Sequence, residues 1–197
     1  MKTRSRPYRM VARAASAEAT GERILDAAEE VFWERPTERV SLDEVAARAG
    51  VSVQTVIRRF GGKEELLRNA AERGSKVVRD QRDAVRTGDV PGAVYALMEH
   101  YEDYGDRVLR LLAEEPAVPA LGEIADRGRR LHRDWCARVF SPALTGLEGV
   151  ARDRRLAQLV AVCDVYTWKL LRRDAGLSRR QTGLAMVELL RPLTDEG

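Results

Sequence analysis

Apolar residues recur at helical spacing through nearly the whole chain, and nowhere does a sustained apolar–polar alternation lie between hairpin turns. A chain patterned this way buries its apolar side chains as amphipathic helices, so the expected fold is all-α. The first helix is expected from Thr20, as N-cap, with Ile24, Ala28, Val31 and Phe32 on one face. Pro36 ends it, because proline lacks an amide proton and restricts Arg35 before it. A long helix is expected from about Lys63, carrying Leu66, Leu67 and Ala70, up to a break at 87–91. Further helices are expected near 92–104, 106–115, 120–140, 152–174 and 178–191, with breaks at Gly105, 116–119, 142–149 and Gly176. No internal repeat or low-complexity tract interrupts this layout.

Between Ser41 and Lys63 the pattern becomes specific. Ser41-Leu42-Asp43-Glu44 has the form of a capping box, in which the Ser41 hydroxyl accepts from the Glu44 amide and the Glu44 carboxylate reaches back to the Ser41 amide. The short helix that follows carries Leu42, Val45, Ala46 and Ala49 and stops at Gly50, a residue free to take the left-handed conformation. Ser52 then caps a second helix running to about Phe60, with Val56 and Phe60 turned inward. Alanines at 46, 47 and 49 let the two helices cross closely, which is the physics of a helix-turn-helix. Its second helix would lie in a major groove. There Gln54, Thr55, Arg58 and Arg59 carry groups suited to base edges or phosphates, and Lys63 adds a cation at the next helix start. The plainer reading is two amphipathic helices meeting at a glycine in an ordinary helical core.

Composition narrows the class of protein. With 197 residues the chain is long enough for a small domain plus a larger one. The net charge of +3, with 33% of residues charged, describes a well-solvated helical surface. Distribution says more: Lys2, Arg4, Arg6, Arg9 and Arg13 precede every acidic residue, forming a basic arm over 1–19 that suits a polyphosphate partner, with Arg9 and Arg13 as candidate contacts. The same arm also fits a solubilising tail. Arg9 and Arg13 interrupt the place of a signal-peptide apolar region, and no uncharged stretch approaches the roughly 18 residues of a membrane span. Cys136 and Cys163 form no CxxC or secreted-framework spacing, so a reducing cytoplasm is the expected location and the spacing gives no support for a disulfide. No HExxH, GxSxG, Walker or GxGxxG pattern is present, and no enzyme activity or cofactor is expected.

From about Thr20 to Leu67 the sequence resembles the N-terminal domain of the TetR family of regulators. The resemblance rests on Arg23-Ile-Leu-Asp-Ala-Ala-Glu-Glu-Val-Phe32, Ser41-Leu-Asp-Glu-Val-Ala46, Ala49-Gly-Val-Ser52, Phe60 and Lys63-Glu-Glu-Leu-Leu67 in fixed order. It implies a three-helix DNA-binding domain over 20–67 and a helical effector-binding and dimerisation domain over 68–197. It also implies that Ser41 sits at a phosphate-contacting helix start, that positions 52–59, Ser52, Val53 and Ile57 included, face the major groove, and that Lys63 contacts the DNA backbone. This chain departs from the family at several places. Ile57 stands where many members have tyrosine, Arg59 where histidine is frequent, Gln54 in place of a common glycine, and Pro36 in place of a frequent glycine. The Gln54 amide can read adenine through N6 and N7.

In the C-terminal half, Leu97, Met98, Tyr101 and Tyr104 recur at helical spacing, as do Ile124, Leu131 and Trp135, and Leu159, Cys163, Tyr166 and Leu170. Core packing accounts for all of them. Since the resemblance implies an effector pocket, Tyr101, Tyr104, Trp135, Tyr166 and Trp168 are candidate walls, with His100, His132 and Asp164 as candidate polar contacts. His132 and Cys136 share a helix face, but zinc wants three or four ligands and only His100 and Cys163 remain as further His or Cys, at no diagnostic spacing; no metal site is read. Apolar stripes around Leu156–Leu171 and Leu184–Leu190 are where the resemblance places a homodimer interface. The expected function is a transcriptional regulator, a repressor released from a palindromic duplex operator by a small-molecule effector. The alternative is a helical protein-interaction module without sequence-specific DNA binding.

Overall fold

A computed structural model describes the backbone of residues 5–195 and the side chains of 14–195. Arg9 and Arg13 thus lie outside the residues whose side chains are described. The described residues are helical and contain no strand. They form two compact units, Met1–Gly74 and Ser75–Gly197.

The first unit holds α1 (Ser5–Glu34), a 3₁₀ turn (Thr37–Arg39), α2 (Leu42–Ala49), α3 (Val53–Phe60) and the first half of α4 (Lys63–Asp83). Its α1 starts at Ser5 rather than at Thr20 as expected. The alanines at 12, 14, 15, 17 and 19 carry the helix through the segment read as an arm, and the Thr20 hydroxyl donates back to the Ser16 carbonyl at 2.8 Å instead of capping. Ile24, Ala28, Val31, Val45, Val56, Leu66 and Leu67 are buried. Ion pairs brace the outside. Arg48 grips the Glu34 carboxylate with both terminal nitrogens at 2.7 and 2.8 Å, and Arg73 reaches Glu22, Asp26 and Glu29 across from α1. The hydrogen bond from Arg48 holds the Glu34 carboxyl below its usual range.

The second unit contains the end of α4, α5 (Val90–Glu114), α6 (Pro119–Val139), a 3₁₀ turn (Ser141–Leu144), α7 (Gly149–Val162), α8 (Val165–Lys169), a π-helical turn (Leu170–Asp174) and α9 (Arg179–Thr194). Its core is continuous, from Val85 and Ala93 through Leu97, Tyr101, Trp135, Phe140 and Leu159 to Trp168 and Met186. The last carbonyls of α4, which have no partner inside the helix, are taken up from α6. Trp135 Nε1 and Arg138 Nη2 donate to the Arg82 carbonyl at 3.1 and 3.0 Å, and Arg138 Nη1 to that of Val85 at 3.0 Å.

Two expected boundaries are corrected here. Gly105 does not break a helix: α5 runs through it, and the glycine is there because a Cβ would fall 2.5 Å from the Trp168 ring. Conversely, the helix expected over 152–174 is interrupted at Asp164, whose carboxylate caps α8 by accepting the Tyr166 amide at 2.9 Å. Gly105→Ala is therefore expected to cost about 1–3 kcal/mol through overpacking against Trp168. Gly74→Ala, with open space around it in α4, should gain about 0.5–1 kcal/mol in helix propensity. Urea denaturation of the two variants checks both signs.

Candidate functional site

The geometry of α2 and α3 is set at their ends. Ser41 Oγ accepts the Glu44 amide at 3.2 Å, as the capping box requires. The Glu44 carboxylate, however, is drawn to Arg35 at 3.0 Å and Arg48 at 3.7 Å rather than to the Ser41 amide, because a charged donor outcompetes a neutral one. Gly50 takes φ +66° and turns the chain, with its amide bonded to the Ala46 and Ala47 carbonyls. Ser52 Oγ then accepts the Thr55 amide at 3.2 Å and pairs with the Thr55 hydroxyl at 2.9 Å. These contacts fix which face of α3 is outside. Val56 is buried; Ser52, Gln54, Arg58 and Arg59 are exposed, and Val53 and Thr55 are half-buried. Ile57 is 42% exposed, a large apolar side chain beside two arginines.

Two of the cations have definite partners. The Arg59 guanidinium lies over Gly21 of α1, which a side chain at that position would obstruct, and sits 5.8 Å from the centre of the Phe60 ring. Lys63 Nζ donates to the Val40 carbonyl at 2.9 Å and the Glu38 carbonyl at 3.3 Å, so its charge secures the 3₁₀ turn ahead of α2. An open groove of about 870 Å³ runs along this side, with Ser16, Thr20, Thr55, Arg58 and Arg59 among its walls. A rigid, exposed helix carrying an amide, an apolar tip and guanidinium groups next to such a groove has the chemistry for reading a duplex.

In the second unit, five of the eight candidate effector residues gather in one place. His100 stacks on Tyr104 with ring centres 5.6 Å apart and touches Tyr101 at 5.2 Å, while His132 stacks on Trp135 at 6.1 Å. Tyr101 donates its hydroxyl to the Cys163 carbonyl at 2.9 Å. The other three candidates stand apart in role. Trp168 is sealed against Gly105 and donates to Glu102 at 3.2 Å, Asp164 is spent as a helix cap, and Tyr166 is 52% exposed. Missing from the candidates is Arg82, which donates to His132 Nδ1 at 3.2 Å and lies 5.1 Å from the centre of the Trp135 ring. Its sequence signal was faint: Arg82 lies on one apolar stripe with Val78 and Val85.

Ionisation in this cluster follows burial. Desolvation, with the nearby Arg82 charge adding to it, pushes the His100 imidazole down to about 3, so it is neutral. Cys136 and Cys163 are both free and buried. Interaction with the Cys163 thiol, aided by His132 and Arg82, lowers Cys136, while the same interaction and burial raise Cys163. Among the described residues no group of three or more His, Cys, Asp or Glu is placed to hold a metal ion.

Residues 24–70 match the family profile described as bacterial regulatory proteins, tetR family. Over these residues the chain is similar to the TetR family. A curated relative, the HTH-type transcriptional regulator SrpR of Pseudomonas putida, is 46% identical over 54 residues. That match takes in 27% of this chain and only 25% of the relative's length. The architecture as a whole recurs in solved structures. A transcriptional regulator from Rhodococcus sp. Rha1 superposes with a TM-score of 0.68 at 24% identity, covering 88% of this chain and 95% of the other. The SmeT–triclosan complex gives 0.68 at 23% identity over 91% and 93% of the two chains. FadR from Bacillus subtilis, in complex with stearoyl-CoA, gives 0.65 at 16% identity over 88% and 97%. These identities establish the shared fold alone. No helix among its described residues is long and apolar enough to cross a membrane.

The buried neutral histidine has a consequence for stability. An unfolded chain protonates His100 near pH 6.5, whereas the folded chain refuses that proton until about pH 3, so its stabilising contribution is complete above pH 6.5 and is lost as pH falls. Between pH 6.5 and 5, stability should fall by about 1.4 kcal/mol per pH unit from this group alone. Denaturation of His100→Phe across that range is expected to show the slope removed.

Proposed function

We propose that this chain is a TetR-family regulator, a cytoplasmic repressor that binds a palindromic duplex operator as a homodimer and releases it when a small molecule occupies the second unit. The observation that carries the reading is the outward face of α3, where Gln54, Ile57 and Arg58 are exposed around the single buried anchor Val56. Gln54 suits adenine, Ile57 the thymine methyl, and Arg58 a guanine edge or a phosphate. Ser41 and Ser52 lie at the starts of α2 and α3, where hydroxyls and backbone amides meet phosphate oxygens. Arg59 and Lys63 supply further positive charge, each by leaving the partner it holds in the absence of DNA.

One recognition helix spans only a few base pairs, so specificity requires two, with centres about 34 Å apart or a multiple of it. A twofold mate is supported by apolar side chains left exposed on the last helices: Val150, Leu170, Leu184 and Leu189. Release then depends on an effector that binds two conformations unequally, differing in the tilt of α4 and hence in the spacing of the paired α3 helices. The gathered residues His100, Tyr101, Tyr104, His132 and Trp135 are the proposed effector contacts.

Selection of bound duplexes from a random pool is expected to return a palindrome. Against it, Gln54→Ala should relax preference at one adenine, losing about 1–3 kcal/mol of discrimination. Arg58→Ala should instead weaken all duplexes alike and lower the salt slope by about 1 if it meets phosphate. A chain that recovers no preferred sequence, or a Gln54→Ala variant with unchanged preference, would refute the assignment.

A further inference from the structure

The second unit buries a positive charge that no carboxylate among the described residues meets. Arg82, in the last turn of α4, is 9% exposed, and its Nε is fully enclosed without a hydrogen-bond partner. A guanidinium cannot shed its proton, so burial cannot neutralise it as it neutralises His100. What it does touch are neutral groups. Because arginine only donates, His132 Nδ1 must be the acceptor of the 3.2 Å bond, which puts the imidazole proton on Nε2, toward the Val160 carbonyl at 3.4 Å. Trp135 offers its ring face. The second enclosed side-chain atom without a partner is His100 Nδ1, and Arg82 acts on His100 through space. Buried cations are normally paired, and buried donors satisfied, because either omission is costly. Two omissions in one cluster mark a place where something binds.

We propose that Arg82, with His100 beside it, anchors the carboxylate of a small organic anion whose apolar body lies against Tyr101, Tyr104 and Trp135. The Nε edge of the guanidinium presents the side-on fork that a carboxylate accepts, and His100 Nδ1, carrying its proton in the matching tautomer, donates one further bond. This assignment rests on the reading that the second unit takes an effector and gives that effector its chemical class.

The full chain, titrated calorimetrically with sodium benzoate and sodium octanoate and with the uncharged benzamide and octanamide, tests it. At least one carboxylate is expected to bind and raise the Tm, with its amide at least about tenfold weaker. Arg82→Met should weaken that carboxylate by about 10- to 100-fold, Arg82→Lys less, and His100→Phe by a smaller factor. Since Arg82 Nε is enclosed without a partner, the ligand-free Tm of Arg82→Met should equal or exceed that of the parent chain by up to about 2–4 °C. Equal binding of acid and amide, binding of neither carboxylate, undiminished binding by Arg82→Met, or a lowered ligand-free Tm in both Arg82 variants overturns the proposal. Anisotropy of a labelled operator duplex separates the two readings. Carboxylate binding that leaves duplex affinity unchanged upholds the anchor and removes release by effector, while a chain that binds the carboxylate but no duplex under any condition removes only the DNA assignment.

Discussion

Every α-helix begins with amide protons and ends with carbonyls that its own backbone cannot satisfy, and in this chain the way those ends are closed decides what the helices present. In the first unit two serines and one glycine do this within a dozen residues. Ser41 starts α2, Gly50 turns the chain with its left-handed backbone, and Ser52 starts α3. Shift any of these by one residue and the exposed face of α3 rotates by about a quarter-turn or more, carrying Val56 out of the core and Thr55 or Ile57 into its place. The second unit applies the same constraint at the other end of α4, where Trp135 and Arg138 jointly hold the Arg82 carbonyl. Local closure of backbone groups therefore sets where functional side chains sit, and packing holds them there.

That division explains what could be read from the amino-acid order. Capping and turn signals are local, involving residues three or four apart, and Ser41, Gly50, Ser52 and Asp164 all carry chemistry a reader can recognise. Ser41, Gly50 and Ser52 close helix ends as that chemistry predicts, although Glu44 does not complete the box, while Asp164 is concealed by apolar periodicity that continues across it. Gly105 is ambiguous for a related reason. A glycine in a helical run signals either a break or a close approach, and what approaches, Trp168, lies more than sixty residues away. The start of α1 lies ahead of the expected Thr20 because the helix propensity of the alanines over 12–19 outweighs the repulsion among the basic residues.

Long-range pairing was the part hidden from sequence. Arg73 and Arg82 look alike in a stretch of exposed-looking polar residues, yet among the described residues one meets three carboxylates and the other none. Lys63 shows the same limit from another side. Its position at a helix start is local information, but its bonds to the Glu38 and Val40 carbonyls depend on how the preceding turn folds back. The five gathered aromatic and imidazole rings were chosen for their chemistry, and only the packing of α5 against α6 separated them from Tyr166 and Asp164.

The brevity of α3 has an evolutionary consequence. Of its eight residues only Val56 is fully buried, so most of the others can be exchanged at little cost to folding. On the proposed reading of α3, a chain built this way can change its genomic address by successive single substitutions while remaining folded at every step. Divergence of target within a lineage then requires no period of relaxed selection on stability, and paralogues can acquire separate regulons soon after duplication.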